Sequence, residues 1–297
     1  MPQGSGPRRR PTDKTPNKRG SDKHGSDKRS PERRGGDRRG SDRRGSERRG
    51  TDRRGVERDR RTPEERSAEQ ARYDGPEIPE EITGKELDRS VLDQLRGLPE
   101  KLAARVGRHL AAAGLVIDED PQTAYQHTLA ARARASRIAV VREACGEAAY
   151  AAGHFAEALS ELRAAKRMNG SADYLPIMAD CERALGRPER ALTLAKSPAV
   201  EKLSQDQRVE MTIVEAGARF ELGETQGALR TLENARVQSA SREPWVVRLR
   251  YAYADLLEKA GRNEDALEWF HRTAAIDGQE LTDAAERVST LEARTEG

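Results

Sequence analysis

The sequence predicts an all-α fold: helical hairpins stacked side by side behind a long basic arm. Three observations carry this. From Gly84 onward apolar residues recur at helical spacing. A glycine-centred turn repeats at Gly153, Gly186, Gly223 and Gly261, at intervals of 33, 37 and 38 residues. No Val/Ile-rich alternation marks a strand anywhere.

The arm comes first. Residues 1–74 hold 24 Lys/Arg against 14 Asp/Glu, and residues 75–297 hold the remaining 30 against 37, so a net of +10 and a net of −7 hide inside the overall +3. From Gly20 to Asp59 a pentad of Gly, Ser or Thr, an acid and two bases runs almost unbroken, as in "RRGSDRRGSERRGTDRRG" over residues 38–55. Such a segment has too little apolar surface to offset the entropy of ordering it, so residues 1–74 are expected to be disordered, low-complexity chain. Across residues 20–55 there are 13 basic and 7 acidic side chains. Full displacement of counterions by that excess gives a salt slope of about −4 on single-stranded RNA. The candidate polyanion-binding residues are Arg38, Arg39, Arg43, Arg44, Arg48, Arg49, Arg53 and Arg54. No aromatic side chain in residues 1–72 can stack on a base, so any such binding is expected to be independent of sequence. Ser21, Ser41, Ser46 and Thr51 each follow two basic residues and a glycine, a spacing that resembles the sites of basophilic kinases. Each phosphate there would add about −1.5 to −2 charges.

In the body, Leu87, Val91, Leu92 and Leu95 share one helical face, and Gly97 with Pro99 separates that helix from the next. Leu102, Val106 and Leu110 form the second stripe, behind Pro99. Asp120 and Pro121 open a third helix. Then come "AAGHFAEALSELRAA", "ALGRPERALTLAKSP", "ELGETQGALRTLENA" and "KAGRNEDALEWFHRT". In each, the glycine is expected to end one helix in a left-handed cap and the polar residues after it to cap the next. Ala158, Ala191, Ala228 and Ala266 fall where two helices approach too closely for a larger side chain.

These units resemble the tetratricopeptide repeat family, whose repeat is a helix–turn–helix of about 34 residues. The resemblance covers residues 138–280, with 105–137 as a degenerate first unit. Residues 75–137 then read as a helical N-terminal part, and 281–297 as a C-terminal capping helix. Gly146, Tyr150, Gly153, Ala158 and Ala165 of the first full unit sit where the family expects them. Pro198 and Pro176 of the second unit depart from the pattern, and "SPAVEKLSQDQ" and "SASREPW" read as lengthened loops between units. The resemblance implies a right-handed α-solenoid whose first helices line a peptide-binding groove. Carried over, the groove candidates are Glu143, Glu147, Tyr150, Asp173, Asp180, Glu210, Phe220, Tyr251, Asp255 and Glu258, with Arg183, Ile213, Glu221, Arg248 and Lys259 beside them. Eight carboxylates against three cations suit a basic peptide. The basic clamp by which some relatives hold a C-terminal carboxylate is absent.

No catalytic or metal constellation emerges. The five histidines are scattered, and there is no phosphate loop, dinucleotide fingerprint or nucleophile elbow. Cys145 and Cys181 read as reduced core residues. The expectation is therefore a non-enzyme without cofactor. No apolar run of membrane-spanning length appears, and the N-terminal basic residues have no apolar segment behind them, which fits a cytoplasmic protein with no membrane contact. Arg132, Arg134, Arg137 and Arg142 form a basic strip that reads either as an RNA footprint or as ion-pair partners. The function expected is a protein–protein scaffold or adaptor holding a protein or basic peptide in the groove. The alternative is an RNA- or ribosome-associated factor gripping its polyanion through the arm. A contact between arm and groove is a further expectation.

Overall fold

The computed structural model describes residues 74–296. Residues 1–73, with all the pentad arginines and hydroxyl residues named above, lie outside the described residues. Among the described residues the fold is all-helical, with no strand.

Three helices lead in: α1 (Arg89–Leu95), α2 (Glu100–Val116) and α3 (Pro121–Ala135). Four hairpins follow. They are α4 (Ala139–Ala151) with α5 (Phe155–Asn169), α6 (Leu175–Ala184) with α7 (Pro188–Ala195), α8 (Gln205–Glu221) with α9 (Thr225–Asn234), and α10 (Pro244–Lys259) with α11 (Asn263–Ala274). Helix α12 (Ala284–Glu296) ends the array. Each helix packs on its chain neighbours. The first helices of consecutive pairs, α2, α4, α6, α8 and α10, also touch one another in sequence. Repeat-like stacking of helical hairpins is thus the architecture.

The four turns are built alike. Gly153, Gly186, Gly223 and Gly261 take left-handed backbone, φ 71 to 80°. In each, the residue after the glycine donates its N–H five residues back: His154 to Ala149, Arg187 to Glu182, Glu224 to Arg219 and Arg262 to Leu257, at 2.8–2.9 Å. One expectation is corrected here. The residues after the glycines make no side-chain capping bond to the next helix. Their backbone does the work instead. The N–H closes the preceding helix, and the carbonyl accepts from Ala158, Ala191, Ala228 or Ala266 to start the next. With both backbone groups used, side-chain chemistry at these positions is free to vary.

Those four alanines are fully buried, as their spacing predicts. Gly146 is tighter still, since a Cβ there would lie 2.5 Å from Leu162. The lengthened loop over "SPAVEKLSQDQ" is more structured than a loop. It contains a 3-10 turn, Pro198–Lys202, then buried Leu203, and Ser204 and Gln207 cap α8 reciprocally. Pro176 sits in the first turn of α6 and Pro244 in that of α10, where a missing N–H costs no helical hydrogen bond. The pair α2–α3 stands where a degenerate unit was expected, but the glycine turn is absent and residues 117–120 make the connection.

The core runs along the array in three apolar clusters: around Leu95, Val106 and Val141; around Leu162, Leu175 and Met178; and around Leu249, Leu257 and Phe270. Cys145 and Cys181 are free and fully buried in the middle cluster, and burial pushes their thiols up to about 11 and about 12.

Residues 74–84 pack against α2 and α3. Arg108 donates from Nε to the Ile82 carbonyl (2.6 Å) and from Nη2 to that of Pro79 (3.0 Å), while Asp74 bridges Arg105 and Arg134. Gly75 lies so close that a Cβ would come within 2.6 Å of Ala130. Beneath it His109 and His127 are buried with their Nδ1 atoms 3.1 Å apart, so one ring donates and the other accepts. Burial lowers the pKa of both, that of His109 to about 4, aided by His127 and by Arg105, Arg134 and Arg108.

Candidate functional site: a two-part groove on the first helices

Helices α4, α6, α8 and α10 present adjacent faces, and between them lies a cleft of about 600 Å³. Glu147 and Tyr150 come from α4, and Asp180 and Ile177 from α6. Asp206, Gln207, Glu210 and Val214 come from α8, and Arg248 from α10. Asp173 and Tyr174, in the turn before α6, close one side. A second cleft of about 340 Å³ adjoins it, sharing Asp180 and Val214. Ile213, Phe220, Ala252 and Leu256 line it, with Arg183, Glu221, Asp255 and Lys259 at its polar positions.

Hydrogen bonds fix the aromatic walls. The Tyr150 hydroxyl donates to Asp180 Oδ2 (2.6 Å), and its ring meets Phe155 edge-on at 5.8 Å. Burial raises the pKa of Glu147, with the neighbouring Tyr174 hydroxyl opposing the rise and Glu143 adding to it. The phenols of Tyr150 and Tyr174 are pushed up by burial and then by their carboxylate neighbours.

The carboxylates of this face fall into two sets. Asp180 accepts from Arg183 Nε (2.8 Å), and Arg183 reaches on to Glu221 (2.5 Å). Glu210 holds Arg248 through both oxygens (2.5 and 2.8 Å). Lys259 pairs with Asp255 (2.6 Å), and Arg287 of α12 contacts Tyr251, Asp255 and Glu258, the last at 2.5 Å. Glu147, Asp173 and Asp206 have no ion-pair partner among the described residues. Asp173 accepts from Ser171 Oγ (2.7 Å). The excess negative charge is therefore concentrated in the first cleft.

Of the groove residues expected from the sequence, Glu147, Tyr150, Asp173, Asp180 and Glu210 meet in the first cleft, and Phe220 and Asp255 in the second. Three lie outside both. Glu143 is buried beneath α5, where Asn169 Nδ2 donates to it (2.6 Å), and Tyr251 and Glu258 are engaged by Arg287. Tyr174, Asp206 and Gln207 were not among the expected residues. Asp206 and Gln207 open α8, upstream of the expected Glu210, and Tyr174 follows the expected Asp173 in the turn before α6. Among the described residues of the basic strip, Arg132 and Arg142 clamp buried Glu161 from two helices, and Arg134 binds Asp74. Glu182 is buried between Arg163 and Arg187. The Arg187 contact, 3.2 Å to Oε2, lacks hydrogen-bond geometry and leaves that oxygen without a directed donor.

Among the described residues no group of three or more His, Cys, Asp or Glu is arranged to hold a metal ion. No helix among them is long and apolar enough to cross a membrane. In comparisons with known proteins, no family model matches the chain, and no curated protein matches it.

Proposed function

We propose that the protein is a non-enzymatic cytoplasmic adaptor, a right-handed tetratricopeptide-type solenoid whose first-helix groove holds an extended, positively charged segment of a partner protein. The observation that carries this reading is the first cleft, where Glu147, Asp173 and Asp206 have no cationic partner beside the Tyr150 and Tyr174 rings. Unpaired carboxylates beside aromatic faces favour a guanidinium or ammonium group, through charge and cation–π attraction. On this reading the arm is an accessory that tunes solubility or contacts a polyanion.

The test is fluorescence anisotropy with the full chain and a labelled Gly/Ser peptide carrying three arginines, with a glutamate version as control. The arginine peptide binds, the glutamate peptide does not, and Glu147→Gln with Asp173→Asn weakens binding at least about tenfold. Affinity unchanged in that variant places the binding elsewhere and overturns the reading. A single-stranded RNA that binds tightly while the peptide does not moves the function to the arm.

A further inference from the structure

The two clefts are contiguous at Asp180 and Val214 but differ in chemistry. The first has unpaired carboxylates. In the second, Arg183 is paired with Asp180 and Glu221, and Lys259 with Asp255. The charges of the second cleft are thus satisfied from within. What it offers a ligand is the apolar surface of Ile213, Val214, Phe220 and Leu256. Gly217 belongs to the same lining, and a Cβ placed there would meet nothing closer than Arg183 Cδ at 3.5 Å.

From this arrangement we infer that the groove reads a two-part signal, a Lys or Arg in the first cleft and a large apolar side chain in the second, on one extended partner segment. The inference rests on the groove reading above and narrows its partner class. A purely polybasic segment satisfies only one half. The chain's own pentads over residues 20–55 contain no large apolar residue, so they match the first cleft alone and are the poorer occupant. The fitting partner is a basic–apolar segment of another protein.

The experiment uses the full chain and four labelled Gly/Ser peptides: two arginines followed by a leucine, the reverse order, the arginines alone and the leucine alone. One of the two mixed peptides is expected to bind at least about tenfold tighter than either single-feature peptide, the gain that burying a leucine side chain supplies. Gly217→Leu puts a branched side chain on the lining of the second cleft, where the Cβ itself meets nothing closer than Arg183 Cδ at 3.5 Å. It is expected to remove that gain while the arginine-only peptide still binds. A urea midpoint equal to that of the unaltered chain checks that the variant is folded. Equal affinity for the mixed and arginine-only peptides overturns the two-part signal and leaves the groove reading standing. Binding of every peptide that is indifferent to both Glu147→Gln with Asp173→Asn and Gly217→Leu overturns both.

Discussion

At the scale of single residues, close approach is the controlling quantity. Gly146 faces Leu162 across α4 and α5 with no room for a methyl group. Gly146→Ala gains helix propensity of about 1 kcal/mol but forces Leu162 off its position, and overpacking typically costs about 1–3 kcal/mol. The net expectation is destabilisation of about 1 kcal/mol, read as a lower urea midpoint at unchanged m-value. A midpoint that rises would mean that Leu162 moves freely. The four alanines were legible from sequence because a small side chain held at a fixed place between apolar ones marks a close approach of two helices, whereas Gly146 stood out only through the repeat resemblance. The groove's charge balance was not legible. Asp180–Arg183 and Asp255–Lys259 are local pairs, but other partners lie far along the chain, with Arg183 and Glu221 38 residues apart, as are Arg248 and Glu210, and Arg287 29 from Glu258. Counting charges along one helix cannot see a partner one unit away.

At the scale of elements, the segment 74–84 and the pair α2–α3 share the buried histidines. The unfolded chain takes up protons on these rings near pH 6.5, whereas folded His109 does so only near 4. Stability is therefore full above pH 6.5 and falls as the pH drops toward 4, by up to about 1.4 kcal/mol per pH unit for one ring. Glu147, whose carboxyl is raised by burial, acts in the opposite sense as the pH approaches the ordinary carboxylate range. Urea unfolding of the full chain at pH 7.5, 6.5 and 5.5 isolates the histidine contribution. A decline between 6.5 and 5.5 is expected, and a flat profile would show that the rings titrate normally. Neither this segment nor the histidine contact was legible. The two rings are brought together by the α2–α3 packing, at positions 18 residues apart that no local pattern links. The hairpin turns were legible because left-handed backbone narrows the residue choice to glycine.

At the scale of the whole described body, contacts run between neighbours along the array, so stability is a sum of local terms rather than one closed core. Helix α12 matters most at its end. Ala284, Val288 and Leu291 are buried on the last cluster, and Arg287 lies over the Phe270 ring at 4.8 Å. Removing residues 281–297 uncovers that cluster. The expected outcome is increased binding of a hydrophobic dye and faster hydrogen exchange in α10 and α11, with α4 to α6 unchanged. Uniform acceleration across all helices would show that the array opens as one unit.

The ion pairs that join consecutive first helices give the groove a mechanical property. Arg183–Glu221 and Glu210–Arg248 cross from one first helix to the next on the face that lines the clefts, while buried alanines hold the hairpins together deeper in the array. Dissolved ions screen the partly exposed pairs, over a Debye length of about 10 Å at 0.1 M, and leave the apolar packing intact. Rising ionic strength is therefore expected to loosen the joins between first helices and to leave the buried packing as it is. A bound cation would feel salt twice, through its own charge and through the compliance of the groove around it.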